Sequence, residues 1–413
     1  MSETAEHVVV VGGGHAGVQT ALSLRERGWA GRVTVLSADH EPPYERPPLS
    51  KGWLKGAVED DGLAFRPAAT YAEQGIEVRT GVRVERIERT AREVRWAAGS
   101  LRYDHLVLAL GARPRRLPVT GADLIGVHAL HTHSDALALR AALDRARSVV
   151  VIGAGFIGLE VAAEARRRGC DVVVVEAGER VMQRALTPLM SSFFADRHRA
   201  AGADLAHGVV AAELLGRDGR VTGVRLSDGR RVPADLVVTG IGVEPNCDLA
   251  REAGLHCDDG VVVDEHLRTG DPRISAIGDC ASFPVDQRRI RLESVQNAVD
   301  QARLVAARLT GEPRAYREVP WFWTDQHGGK LQMAGLTADS DTHVVVGSVD
   351  DARFTVLCWR AGVFVGGESV NRPGDHITVR RLLADGVPLD PAAAAAPGFE
   401  LKTHLRHALG AAA

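Results

Sequence analysis

An α/β fold is predicted by three features of the 413-residue sequence. First, a run of four apolar residues leads into a G-x-G-x-x-G turn at two places, with the glycine triplets 141 residues apart. Second, each turn is followed by apolar residues at helical spacing and then by a second apolar run, which makes a βαβ unit. Third, each unit is followed by a meander of short strands and a buried strand that ends in Gly and Pro. The repeat predicts one Rossmann-like domain used twice, with a C-terminal α+β domain after it. The expected boundaries are 1–113 with 247–318 for the first domain, 114–246 for the second and 319–413 for the third.

In the first unit, Val8–Val11 leads to Gly12, Gly14 and Gly17, a helix to about Arg27, a strand over Arg32–Leu36, and Asp39. In the second, Val149–Ile152 is too uniformly apolar for a half-exposed strand and suits one buried on both faces of a parallel sheet. Gly153, Gly155 and Gly158 follow, then Ile157, Val161, Ala162 and Ala165 at helical period, with Gly169 as a stop. The run Val172–Val175 ends in Glu176, 18 residues beyond Gly158. Such a turn aims backbone N–H groups and a helix N-terminus at a pyrophosphate, and the acid accepts ribose hydroxyl hydrogens. Glycines also sit in ordinary turns; the strand before, the helix after and the acid at the second strand end set these apart. Two dinucleotide sites need two ligands, and a flavin with a nicotinamide nucleotide is the pair with sensible chemistry between them.

A net charge of −3 and a pI near 6.6 give no electrostatic case for bulk nucleic-acid binding. The 5 cysteines form no CxxC and no metal-ligand spacing, and a sparse, odd set suits a reducing compartment. MSETAEH lacks the basic flank and apolar core of a signal peptide, and no apolar run approaches membrane-spanning length. The expectation is a soluble cytoplasmic protein with no metal.

Along the chain, His40–Leu54 (HEPPYERPPLSKGWL) holds four prolines that forbid helix and central strand, so it reads as a stiff, extended loop. Tyr44, Arg46, Lys51 and Trp53 are an unusual load for a plain surface loop. Ile76–Val78, Val82–Ile87 and Glu93–Trp96 read as a meander, and Asp104–Leu110 as a buried strand ended by Gly111 and Pro114. Leu130–Arg145 reads as a helix. A second meander spans Asp204–Val232, with Asp218-Gly219 and Asp228-Gly229 turns. Asp235–Asn246 repeats the strand–Gly–Pro pattern. Val261–Asp264 and Ile274–Asp279 return to the first domain, with Asp279 at a strand end where a carboxylate can hold a ligand hydroxyl. Ser294 is the expected N-cap of a helix to about Leu309, stopped at Gly311. Beyond Val319, three antiparallel strands (Val344–Val349, Phe354–Trp359, Val363–Val370) and a helix at Ile377–Ala384 are expected. The Ala run between Pro391 and Pro397 reads as a surface connector.

Taken together, ERPPLSK (45–51), LALGARP (108–114), GFIGLE (155–160), IGVEPN (241–246), AIGDCA (276–281), ESVQNA (293–298) and WFWTDQ (321–326) resemble the flavin-dependent NADH:ferredoxin reductases of bacterial oxygenase and cytochrome P-450 systems, the group typified by putidaredoxin and rubredoxin reductases. The resemblance covers the whole chain and implies a glutathione-reductase-like FAD domain interrupted by an NAD domain. It assigns Gly12, Gly14, Gly17, Asp39, Arg46, Lys51, Ala109, Arg113, Asp279, Gln296, Asn297 and Trp323 to FAD. It assigns Gly153, Gly155, Gly158, Glu160, Glu176 and Gly242 to NADH. Asp39 is implied at the FAD ribose, Asp279 at the ribityl chain, Arg46 and Lys51 along the flavin, and Gln296 and Asn297 at its pyrimidine edge. Trp323 closes the flavin pocket. Lys51 and Glu160 are the implied catalytic pair, Lys51 answering charge on the flavin and Glu160 orienting the carboxamide. Cys280 reads as a small buried residue beside Asp279.

The implied partner is a transient [2Fe-2S] ferredoxin, which serves a P-450 or oxygenase in turn. Arg66, Arg314 and Lys330 are candidates for meeting an acidic ferredoxin, and Trp53 with the aromatic start of the third domain for an apolar interface. Disulfide reductases, and NADH oxidases and peroxidases, use cysteine near the flavin; here Asp39–Lys55 contains none, and the first cysteine is Cys170. A reductase of rubredoxin, or an NADH-responsive flavoprotein of the apoptosis-inducing-factor type, is the alternative.

Overall fold

The computed structural model describes residues 6–285 and 287–410. Met1–Ala5, part of the segment read above for a leader, lie outside them. The chain divides into two compact units.

Unit 1 comprises Met1–Pro48, Val58–Arg113 and Val243–Glu318. Its centre is a parallel sheet in the order Ile274–Ala276, His105–Leu108, His7–Val11, Arg32–Leu36, Ile76–Arg79. Val8, Val9 and Val10 are fully buried, which is why this strand is apolar at every position instead of alternating. The helices His15–Glu26 and Val295–Leu309 pack on each other, and Ala21, Ala298 and Ala302 are buried. Ser294 caps the second helix by accepting from the Asn297 N–H at 3.1 Å, as its sequence predicts. The meander expectation needs correction. Ile76–Arg79 pairs in parallel with Arg32–Leu36 and closes the main sheet, because Ile76 buries against it. The antiparallel meander is Arg86–Glu88, Glu93–Trp96 and Gly99–Arg102.

Unit 2 comprises Leu49–Ala57, Pro114–Gly242 and Val319–Ala413. A second parallel sheet runs Ala203–His207, Asp171–Glu176, Ser148–Ile152, Leu236–Thr239, Val127–Ala129. An antiparallel sheet follows in the order Trp321–Gln326, Gly329–Gly335, Val363–Val370, Arg353–Arg360, Thr342–Ser348. One apolar core joins the two sheets: Val151, Leu159 and Val174 share it with Leu331, Phe354 and Val356. The helix Pro188–Ala200 lies in that core through Met190 and Phe194 and has no counterpart among the sequence expectations. The helix expected over Leu130–Arg145 spans His133–Leu143, opened by a Thr132/Asp135 capping box. The Ala run is not a plain connector. Asp390 caps a short helix, Pro391–Ala394, and Ala394 is buried.

The Pro-rich stretch is less extended than expected, since Pro47–Ser50 forms a 3-10 turn. From Leu49 to Ala57 it folds with unit 2. Trp53 is 1 % exposed, edge-on to His133 at 5.4 Å and under the Arg140 guanidinium at 5.2 Å. Arg168 donates to the Leu54 carbonyl at 2.6 Å. Burial removes Trp53 from any docking surface, which corrects that expectation. Among the described residues, no helix is long and apolar enough to cross a membrane.

Candidate functional site

In unit 1 the glycine turn is shaped for close approach. Gly12 has φ +123°, and a Cβ there would lie 2.1 Å from the Ala109 carbonyl oxygen, so Ala109 walls the turn. A Cβ on Gly17 would meet the Gly12 carbonyl at 1.9 Å. Gly14, at the helix N-cap, faces open space, and no side chain caps the helix behind it. Its first-turn N–H groups therefore suit an anion.

Arg46 donates to Asp39 at 3.1 Å, and the Tyr44 hydroxyl does so at 3.3 Å. The charge of Arg46 is also felt by His15, at the start of the glycine-turn helix, and by Asp279. Asp279 follows Gly278, whose N–H is held by Gln301 at 2.7 Å. Among the described residues no group donates to the Asp279 carboxylate. Burial first, then the Glu293 charge, push this carboxyl up to about 7, against the pull of Arg291 and Arg46. A carboxyl so placed fits a ligand that brings hydroxyl donors, as a ribityl chain does. Cys280 beside it is fully buried, and burial raises its thiol to about 11; it is an inert packing residue, as expected.

Arg113, Asn297 and Gln296 all have partners within unit 1. Arg113 pairs with Glu244 and Asp248, both at 2.7 Å, so its guanidinium is engaged by carboxylates. Asn297 is fully buried. It donates to the Leu292 carbonyl at 3.1 Å and accepts from the Tyr316 hydroxyl at 3.0 Å, so it fastens the start of its helix. Gln296 donates to Asp300 at 2.7 Å. Sheet register adds a residue that sequence spacing missed. Val11 lies opposite Leu36 as Ile152 lies opposite Val175, so the first-unit counterpart of Glu176 is Ser37, not Asp39. The Ser37 hydroxyl sits beneath the turn, 2.6 Å from where a Cβ on Gly13 would be.

Unit 2 repeats the turn. Gly153 has φ +101°, and a Cβ would lie 2.4 Å from the Gly240 carbonyl; one on Gly158 would lie 2.2 Å from the Gly153 carbonyl. Gly155 opens the helix without a side-chain cap. Glu176 accepts the Ala154 N–H at 2.7 Å and the Gly178 N–H at 2.8 Å, one on each oxygen, which orients it and leaves each oxygen able to accept a ribose hydroxyl. Arg180 is turned away, donating to the Leu186 carbonyl at 2.6 Å and to Ser191 at 2.8 Å. Gly242, with φ +94°, leaves room for the exposed Arg184 guanidinium, 3.2 Å from where a Cβ would be.

Near that turn lies a buried ion pair. Glu160, its side chain 1 % exposed, pairs with Lys51 at 2.9 Å, and Lys51 is 15 % exposed. Oε2 of Glu160 accepts from Lys51 and from Ser50 at 2.5 Å, and Oε1 accepts from Thr324 at 2.5 Å. Ser50 and Thr324 were not singled out in the sequence, although both stand in motifs that were. Thr324 and Gln326 alternate inward on one strand, and that period-2 spacing was a usable signal. Half-buried Trp323 lies tilted against Trp321 with ring centroids 5.5 Å apart, beside the Phe156–Phe322 pair at 4.6 Å.

Two glycine-turn nucleotide sites on parallel sheets, one beside a buried Lys–Glu pair, define a two-nucleotide oxidoreductase. The model of the pyridine nucleotide-disulphide oxidoreductases matches residues 6–302, and that of the reductase C-terminal domain matches residues 321–405. The chain belongs to this family and is an oxidoreductase of it, with FAD and a nicotinamide nucleotide as cofactors. It is 49 % identical to rhodocoxin reductase of Rhodococcus erythropolis, over 96 % of this chain and 93 % of that one. The ferredoxin reductase for the CYP199A2 system of Rhodopseudomonas palustris superposes with a TM-score of 0.94 at 47 % identity, over 96 % and 99 % of the two chains. The covalent putidaredoxin reductase–putidaredoxin complex gives 0.94 at 38 % identity, over 98 % and 99 %.

Proposed function

We propose that the chain is a cytoplasmic NADH:ferredoxin reductase that takes hydride from NADH and passes single electrons to a [2Fe-2S] ferredoxin serving a P-450 or oxygenase. The observation that carries this reading is the buried Lys51–Glu160 pair beside a nucleotide turn, in a chain with no cysteine between Asp39 and Lys55. When bound, flavin and nicotinamide supply the hydride and one-electron chemistry; the protein supplies binding and orientation. Asp279 accepts hydroxyl hydrogens of the flavin nucleotide. Arg46, between Asp39, His15 and Asp279, neutralises its pyrophosphate, and Ser37 stands where an acid would face the ribose. Glu176 accepts the hydroxyls of the NADH adenosine ribose. Glu160 accepts the carboxamide N–H on Oε1, the oxygen that holds one donor where Oε2 holds two. Lys51 supplies positive charge at the reacting edge. The relatives' names, which couple such chains to rhodocoxin and putidaredoxin, support the choice of acceptor.

The test is stopped-flow mixing of NADH-reduced enzyme with purified [2Fe-2S] ferredoxins and with a rubredoxin. Fast reduction of a ferredoxin is expected. Faster transfer to rubredoxin would move the acceptor to the alternative. Slow transfer to every carrier, with a change of shape or partner on NADH addition, would point to a nucleotide-responsive flavoprotein.

A further inference from the structure

We propose that Thr324, Gln326, His198 and His327 form a one-way chain of hydrogen-bond donors that ends on Glu160 and positions its carboxylate for the nicotinamide carboxamide. The proposal rests on the reading of Glu160 given above, and it makes His198 and Thr324 positioning residues for hydride transfer.

The direction of the chain follows from its end. Glu160, ion-paired to Lys51, only accepts. The single Thr324 hydroxyl hydrogen is therefore spent on Glu160 Oε1, at 2.5 Å. Thr324 then faces Gln326 as an acceptor, so the Gln326 group 3.0 Å away is the amide N–H. That sets the amide orientation and puts Oε1 of Gln326 3.0 Å from His198 Nε2, which must carry a hydrogen. Burial first, with the neighbouring His327 adding to it, holds His198 down to about 4 against the Gln326 bond, so its ring is neutral at pH 7. A neutral ring with Nε2–H has a bare Nδ1, and His327 Nε2, at 3.3 Å, must donate to it. Amide orientation and tautomer, which distances alone leave open, are thus dictated from the carboxylate outward.

Thr324, Gln326 and His198 are each fully or almost fully buried. An apolar set of the same shape would fill this space at no polar cost. Fastening the helix Pro188–Ala200 to the strand Trp321–Gln326 is the plain alternative, and it predicts effects on stability alone. The chain instead terminates on Oε1, the Glu160 oxygen that holds one donor where Oε2 holds two. The Gln326 amide does not pass protons along as a hydroxyl or imidazole does, so the chain orients and does not deliver a proton.

The test has two parts. In the unaltered holoenzyme at pH 7, the imidazole 15N shifts should show both His198 and His327 as Nε2–H tautomers; a His198 carrying its hydrogen on Nδ1 overturns the chain. In variants, Thr324→Val should lower the limiting rate of flavin reduction by NADH by about tenfold, with NAD+ affinity by calorimetry changed less than about twofold. Thr324→Ser should restore the rate. His198→Leu should lower it several-fold and His198→Gln, which keeps a donor toward Gln326, should recover it. Variants that melt earlier yet reduce flavin at the original rate show a structural fastening and overturn the proposal. Glu160→Gln separates the two readings. If it leaves flavin reduction unchanged, the role of Glu160 is wrong; if it collapses the rate while Thr324→Val and His198→Leu do not, only the chain is wrong.

Discussion

At the scale of single residues, charge and burial decide what each site will show. The raised carboxyl of Asp279 must lose its proton to accept hydroxyl hydrogens. FAD binding to the apoprotein should therefore tighten as pH rises through about 7, by up to tenfold per pH unit below it, and release one proton. Asp279→Asn should bind more weakly and without that slope, as read by fluorescence titration across pH. Glu176 is fixed by two backbone N–H groups and has no free guanidinium from Arg180 beside it. NADH should be preferred over NADPH, and Glu176→Ala should narrow the gap in kcat/KM by about tenfold or more, since a 2′-phosphate then meets no carboxylate. Lys51→Ala leaves Glu160 buried with two hydroxyl donors and no cation. It should slow flavin reduction by NADH about a hundredfold while FAD content stays near one per chain. Loss of FAD at an unchanged rate would make Lys51 a cofactor clamp.

At the scale of elements, legibility followed burial. The parallel strands were readable because Val8–Val10 and Val149–Val151 are buried on both faces and carry no polar alternation. The strand end that carries Asp279 was readable because an apolar run and a Gly precede it. Ile76–Arg79 was misplaced because a short edge strand looks alike in a meander and in a parallel sheet; its partner, Arg32–Leu36, is distant in sequence. The helix Pro188–Ala200 escaped because His198 interrupts its apolar face, and His198 is buried for its hydrogen bonds. Ser37 was not singled out beside Asp39 because spacing counts residues, whereas register sets which one follows the strand position opposite the turn. Trp53 was read as exposed because it sits in a Pro-rich loop, yet it anchors that loop in unit 2. Trp53→Ala should destabilise unit 2 by about 3–5 kcal/mol, measured by calorimetric melting, and slow flavin reduction through displacement of Lys51. Unchanged melting would mean that the loop is held by the Arg168–Leu54 bond and the Ser50 and Lys51 contacts with Glu160 without help from the indole.

At the scale of the whole molecule, a net charge of −3 gives no general attraction to an acidic partner, so any steering must be local. Arg314 is paired with Glu318 at 2.8 Å, whereas Arg66 donates only to the Phe65 carbonyl and the Lys330 ammonium has no partner among the described residues. Reduction of ferredoxin should slow several-fold as ionic strength rises from about 0.05 to 0.5 M, because screening shortens the reach of exposed charges. Hydride transfer from NADH, within a bound complex, should change far less; stopped-flow titration of both half-reactions with salt compares them. A ferredoxin step indifferent to salt would make docking mainly apolar.

The short segment Leu49–Ala57 belongs to unit 2 although the chain on either side of it belongs to unit 1. Lys51 therefore leaves the ribosome long before Glu160, and a nascent chain carries a desolvation-prone lysine and a large indole with nowhere to put them. Unit 1 awaits Val243–Glu318 and unit 2 awaits Val319 onward, so neither can close until most of the polypeptide has been made. Gene fragments that stop at Gly242 should yield chaperone-bound or proteolysed material, and a transplantable nucleotide module from this protein would have to carry Leu49–Ala57 as a graft.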